Sequence, residues 1–133
     1  MATAGALGGL RILLVDDDEG SLEAVSTLLA LNGAEVRCCI DAGAARRALG
    51  AFRPHLIISD LAMPVEDGFE LVMAIRALSA EEGGRTPAIA YSGDSDTETR
   101  ARALASGFDG FASKPLDGPG LLRLIVALAP HPG

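Results

Sequence analysis

LRILLVDDDEG, residues 10–20, is the stretch on which the fold turns. Ile12, Leu13, Leu14 and Val15 form an unbroken apolar run that stops abruptly at Asp16, Asp17, Asp18 and Glu19. A short run without polar alternation suits a strand buried on both faces, the habit of parallel sheets. Acids at the tip of such a strand have two explanations. One is solvated loop and helix-capping residues, a use that fits Asp18 and Glu19 ahead of a first helix. The other is the capture of a cation. What the remaining strands end in decides between them.

Outward from this stretch, short apolar runs alternate with longer periodic segments. Strands are expected over 10–15, 35–40, 55–59, 87–91 and 108–112, and helices over 21–31, 42–52, 68–78, 97–106 and 121–128. The first helix is read from Leu22, Val25, Leu28 and Leu29, and Asn32-Gly33 stops it. Phe69, Val72, Met73 and Ile75 repeat the pattern, while Pro54 breaks the chain before the third strand. The alternation is (βα)5 in an α/β chain. That predicts a doubly wound, five-stranded parallel sheet with helices on both faces. The expected layout is a flexible lead-in over 1–9, one domain over 10–129 and a tail over 130–133.

Composition narrows the function. Of 133 residues, 49% are apolar but only 4% aromatic, so the core is built from Ala, Leu, Ile and Val. A net charge of −7 argues against nucleic-acid binding and suits cations or basic partner surfaces. No apolar run approaches a membrane span, and the first residues lack the basic start of a signal peptide. Cys38 and Cys39 are adjacent, point to opposite faces of a strand and read as reduced thiols, which predicts a cytoplasmic protein.

In sheets of this kind ligands sit beyond the carboxyl ends of the strands. Those ends carry Asp16, Asp17 and Asp18 after the first strand and Asp60 after the third. Ser92, Gly93 and Asp94 follow the fourth strand, and Lys114-Pro115 follows the fifth. Carboxylates from Asp16, Asp17 and Asp60 crowded together repel one another unless one is protonated or a cation joins them. Mg²⁺ fits, because it takes one or two carboxylates and is completed by water and phosphate oxygens. Lys114 is the only lysine in a chain with 11 Lys and Arg residues, so this position uses a compact ammonium where Arg serves elsewhere. Ser92 adds a hydroxyl. Asp60 is then a nucleophile able to carry a phosphoryl group as an acyl phosphate.

At this point the chain resembles the receiver domain of two-component response regulators, over about residues 10–128. The resemblance rests on Asp16-Asp17 after ILLV, on SDLAMPVEDGFEL around Asp60, on AYSG with Ser92 and on GFDGFASKP with Lys114. It implies the flavodoxin-like strand order 2-1-3-4-5. It also implies that Asp60 accepts phosphate from a histidine kinase or histidine phosphotransfer protein. Asp17 would hold Mg²⁺ directly, Asp16 through a water, and the backbone carbonyl of Ala62 would be a further ligand. Ser92 and Lys114 would hold phosphoryl oxygens, with a cis Lys114–Pro115 bond. Ser92 and Phe111 would be the switch pair: phosphate on Asp60 would draw Ser92 inward and Phe111 would turn in to fill the space, a role that an ordinary core aromatic can also hold. Phosphorylation would shift the surface of the fourth helix, fifth strand and fifth helix to control a downstream protein. Such a chain is a phosphoacceptor with at most self-catalysed phosphorylation and dephosphorylation, not an enzyme. Position 62, here Ala, is one where the family varies, Gly93 stands where Ala is usual, and Asp94 is a second acid near that entrance, which leaves the phosphate lifetime open.

Two rivals are weighed against this. A pseudo-receiver would act as a phosphorylation-independent interaction module. A haloacid-dehalogenase-like phosphatase shares a D-x-D at Asp16–Asp18, but Glu19-Gly20 departs from its pattern and the chain lacks room for a cap. The last helix raises a separate expectation. Leu121, Leu122, Leu124, Ile125, Val126 and Leu128 leave Arg123 as its only charge. A helix apolar nearly all round is buried or contacts a partner. A protein interface at Leu121, Leu122 and Ile125, such as a homodimer, is expected here beside the alternative of a wide apolar inner face.

Overall fold

The computed structural model describes residues 5–130. Five strands, β1 (Arg11–Val15), β2 (Glu35–Cys39), β3 (Leu56–Ser59), β4 (Ala88–Ser92) and β5 (Gly110–Ser113), alternate with five helices. The helices are α1 (Glu19–Leu31), α2 (Ala42–Phe52), α3 (Gly68–Arg76), α4 (Thr97–Ser106) and α5 (Gly118–Leu128). The strands pair in parallel in the order β2-β1-β3-β4-β5. This is the doubly wound sheet that the alternation predicts.

Strand alternation divides the core into two layers. Leu13, Val15 and Ile57 face one side with residues of α2 and α3, while Ile12, Leu14, Leu56 and Ile58 face the other with residues of α1 and α5. Every residue of β3 and β4 is buried, as expected of central strands covered on both faces. Each of the five helices is N-capped by an aspartate: Asp18, Asp41, Asp67, Asp96 and Asp117. The carboxylates satisfy helix N–H groups that have no partner within the helix. Much of the chain's acid content is thus spent on starting helices.

Several boundaries differ from the sequence expectation. α1 and α5 begin earlier than predicted, because Asp18 and Asp117 cap them directly. β5 covers 110–113 rather than 108–112, because Phe108 closes α4 instead, its N–H donating to the Ala103 carbonyl. Within the expected lead-in, Leu7 is fully buried, and its N–H donates to the Asn32 carbonyl. Residues 1–4 and 131–133 lie outside the described residues.

At Leu121 and Ile125 the interface expected on α5 needs correction. Leu121 is 2% exposed and Ile125 0%, so both belong to the core under the sheet and cannot meet a partner. Leu122, Leu124 and Leu128 are half-buried against the same layer. A side chain at Gly110 would come within 2.8 Å of Leu128 and 3.2 Å of Leu124, so α5 lies almost on the β5 backbone. The helix is apolar nearly all round because it wraps the sheet edge. Val126, 43% exposed, is the large apolar residue it leaves to solvent.

Candidate functional site

Strand register brings the predicted residues together. Val15 of β1 pairs with Ser59 of β3, so Asp16 and Asp60 leave the sheet side by side. The Asp60 N–H donates to the Val15 carbonyl at 2.8 Å and fixes that adjacency. Ser92 pairs with Ser113, and the Lys114 N–H donates to the Ser92 carbonyl at 2.8 Å. Lys114 therefore starts its reach from the strand tip next to Ser92. Its peptide bond to Pro115 is cis.

Carboxylate oxygens of Asp16, Asp17 and Asp60 lie within 4.8 Å of one another. Asp16 and Asp60 are buried, whereas Asp17 is exposed at the mouth. The Lys114 ammonium donates to Asp16 Oδ2 at 3.0 Å and stands 3.5 Å from Asp60 Oδ2. Below it lies the Tyr91 ring, with Nζ 5.2 Å from the centroid. The Asp18 side chain stays out of the cluster and caps α1, accepting from the Ser21 N–H at 2.9 Å, while its own N–H donates to Asp16 Oδ1 at 2.9 Å. The opening question thus resolves residue by residue, with Asp16 and Asp17 in the cluster and Asp18 on a helix.

The electrostatics follow from burial. Desolvation pushes the Asp60 carboxyl up, and the Asp16 charge adds to it. Lys114 and the Ala62 and Leu61 amides pull the other way, and the balance stands at about 6 against an ordinary 3.8. Burial pushes the Lys114 ammonium down, but its bonds and charge contacts with Asp16 and Asp60 outweigh this and hold it above its ordinary value. One ammonium among three carboxylates leaves the site short of positive charge. The donors are all oxygen, the ligand type that hard divalent cations prefer.

The loop from β3 to α3 shapes the other wall. A Cβ on Gly68 would lie 2.2 Å from the Asp60 carbonyl oxygen, so only glycine lets this loop fold back onto the strand tip. Ala62, exposed, donates its N–H to Asp60 Oδ1 at 3.4 Å. Val65 holds φ 71, and the Glu66 N–H bonds the Pro64 carbonyl at 2.9 Å across it, a tight γ-turn. Glu66 is tied to Arg46 of α2 at 2.8 Å. On the facing wall the Ser92 hydroxyl, 4% exposed, accepts from the Asp94 N–H at 3.1 Å.

Phe111 does not enter this cluster. It lies half-buried on β5, packed against the α2–α3 side of the core, with the Arg100 guanidinium over its ring at 4.8 Å. Leu121, Leu122 and Ile125 belong to the fold rather than to the site. Sequence reasoning missed Ser59, 1% exposed, whose hydroxyl donates to the Asp60 carbonyl at 2.8 Å. It also missed Tyr91 as the floor under Lys114. Tyr91 is the chain's single tyrosine and directly precedes Ser92, a signal that was legible.

Known proteins resemble this chain in sequence and fold. The family model for the response regulator receiver domain matches residues 12–126. An uncharacterized 14.6 kDa protein of Leptolyngbya boryana is 39% identical over 90% of this chain and 89% of its own length. The transcriptional regulatory protein PrrA of Mycobacterium tuberculosis is 34% identical over 89% of this chain but only 49% of its own length. The chain thus spans about half of that regulator. Among solved structures, Vibrio cholerae chemotaxis protein CheY4 superposes with a TM-score of 0.83 at 30% identity, covering 90% of this chain and 98% of its own. The receiver domain of Pseudomonas aeruginosa sensor histidine kinase PA1611 superposes with a TM-score of 0.82 at 29% identity, covering 91% of this chain and 98% of its own. That domain carries a magnesium ion coordinated in its active site cleft.

Proposed function

The chain belongs to the response regulator receiver domain family, and on that premise we propose that Asp60 is the acceptor of a phosphoryl group delivered by a histidine kinase or histidine phosphotransfer protein. A carboxylate oxygen of Asp60 attacks phosphorus as the P–N bond to the donor imidazole breaks. The leaving nitrogen keeps the bonding electron pair, and because the other ring nitrogen of the donor already carries a proton, the imidazole is released neutral. The product is an acyl phosphate on Asp60. The observation that carries this reading is the Asp60 carboxylate, buried at a strand tip, 3.5 Å from the Lys114 ammonium and clustered with Asp16 and Asp17.

Asp17, Asp60, the Ala62 carbonyl and, through a water, Asp16 are the groups that would hold Mg²⁺. The ion would neutralise the carboxylates and the transferring oxygens. Lys114, already anchored on Asp16, supplies a fixed positive charge to one phosphoryl oxygen. The Ser92 hydroxyl donates to another. Loss of the phosphoryl group follows when water attacks phosphorus and the Asp60 carboxylate leaves. The chain is therefore a phosphoacceptor that catalyses at most its own modification and its reversal. It works in the cytoplasm and passes its state to a downstream protein through α4, β5 and α5.

The test is intact mass after incubation with acetyl phosphate, with and without Mg²⁺, on the wild type and Asp60→Ala. The expected result is a Mg²⁺-dependent gain of one phosphoryl group that the variant lacks. A folded wild type that gains nothing would return the reading to a phosphorylation-independent module.

A further inference from the structure

We propose that Arg100 is a positioning residue that latches Phe111 and the loop after β4 in one state, and so sets how readily the site accepts a phosphoryl group. The inference rests on Asp60 being the acceptor and adds the device that restrains its response.

Arg100 makes three contacts on two segments, β5 and the loop after β4. Its guanidinium covers the Phe111 ring, with the carbon 4.8 Å from the centroid. Nε donates to the Ser95 carbonyl at 3.0 Å, within the loop that leaves Ser92. Nη2 donates to the Ser113 hydroxyl at 3.2 Å. Ser113 is the register partner of Ser92 and directly precedes Lys114. One side chain thus joins both strand tips that carry phosphoryl-holding groups to the aromatic ring beside them.

Little else holds this part of α4. Ala103 is its one buried residue, and the helix is mostly polar. A cleft of about 700 Å³ opens between the start of α4 and the β3–α3 loop, lined by Ala62, Met63, Phe69, Ser92 and Asp94, among others. The loop after β4 has room to move. Arg102 stacks on Phe69 of α3, 3.9 Å from the centroid, and fixes the opposite side of α4. The arginines divide the work, Arg102 docking the helix and Arg100 joining it to β5.

The consequence follows from the covalent path. If Ser92 moves toward an oxygen on Asp60, the Asp94 N–H bonded to its hydroxyl follows. The Ser95 carbonyl is then drawn off Arg100. The guanidinium loses one anchor, and its cover on Phe111 weakens. Ligand binding and release of the ring are coupled, so removing the latch must ease binding.

The experiment uses the whole chain labelled in its phenylalanine rings, with beryllofluoride and Mg²⁺ as the phosphoryl analogue. Wild type, Arg100→Ala and Arg102→Ala are compared by NMR. In Arg100→Ala the Phe111 ring resonances of the free protein should move part-way toward their ligand-bound positions. The beryllofluoride concentration for half-saturation should fall by about 3- to 10-fold, the size of one stacked cation with its bonds. Arg102→Ala should leave both readouts at wild-type values. The latch is overturned if Arg100→Ala shifts neither readout, or if Arg102→Ala shifts both equally, which would mark general loosening of α4. A wild type that takes up no beryllofluoride overturns the acceptor reading together with the latch.

Discussion

At the scale of the residue, the site's tension lies between Asp60 and Asp16. The folded chain holds the Asp60 proton more tightly than an unfolded chain does, with the carboxyl at about 6 instead of 3.8. Between those values the folded state binds more protons, so stability falls as pH rises through the window, and the full penalty persists above it. Asp60→Asn removes the penalty. Without divalent cation at pH 7.5 the variant should melt at a higher temperature than wild type, with the gap closing as pH drops toward 4. A gap that ignores pH would sink this account. Lys114→Met is the complementary change. It strips buried Asp16 of the ammonium 3.0 Å away and leaves its charge with the Asp18 N–H but no cation. The variant should lose about 1–3 kcal/mol of stability, discounted because Lys114 is partly exposed, and Mg²⁺ should recover more stability in it than in wild type. Calorimetry with and without the ion checks this; equal recovery in the two proteins would contradict it.

At the scale of the element, legibility followed the source of each signal. β1, β3 and α2 were readable because unbroken apolar runs, helical periodicity and Pro54 act within a few residues. α5 was left between an interface and a wide inner face because periodicity cannot say how far a helix curls around a sheet edge. Leu124 and Leu128 fill the space a side chain at Gly110 would take, a closeness to the preceding strand that helical periodicity does not encode. β5 slipped because Phe108 looks like strand but serves as the closing residue of α4. The site was legible through types and order, as acid, acid, hydroxyl and amine at successive strand tips. The Arg100 contacts were not, since nothing in the sequence distinguishes that arginine from Arg102, the other on α4. Two element-scale outcomes follow. Ile125→Ala should cost about 2–4 kcal/mol through the cavity it leaves. By sedimentation it should leave the oligomeric state as in wild type; a change of state at full folding would restore the interface on α5. Asp67→Ala removes the capping box of α3, in which Asp67 and Glu70 each accept the other's N–H. It should cost about 1–2 kcal/mol in urea titration, and a loss within error would show that the loop finds another partner.

At the scale of the whole molecule, the site is where the strands are joined last. β1 supplies Asp16 and Asp17, β3 supplies Asp60, and β5 supplies Lys114 through the tip it shares with β4. A ligand bound there adds to the backbone ladders and the Lys114–Asp16 bond that already join these strand ends, and it binds where the fold has brought them together. Stabilisation then grows as the logarithm of ligand concentration, about 2.7 kcal/mol at one hundred times the dissociation constant. For a chain of this size that is a rise of about 10 °C in melting temperature. The melting temperature should climb linearly with the logarithm of Mg²⁺ concentration once the site is filling. It should do so equally by helix signal and by the fluorescence of Tyr91, which lies under Lys114 at the site itself. Asp17→Asn, exposed and outside the core, should fold as wild type does and lose the climb. A climb that survives in the variant would place the ion elsewhere on this acidic chain. Separate transitions by the two probes would mean that the strand tips melt apart from the helices, so that the site does not act on the fold as a whole.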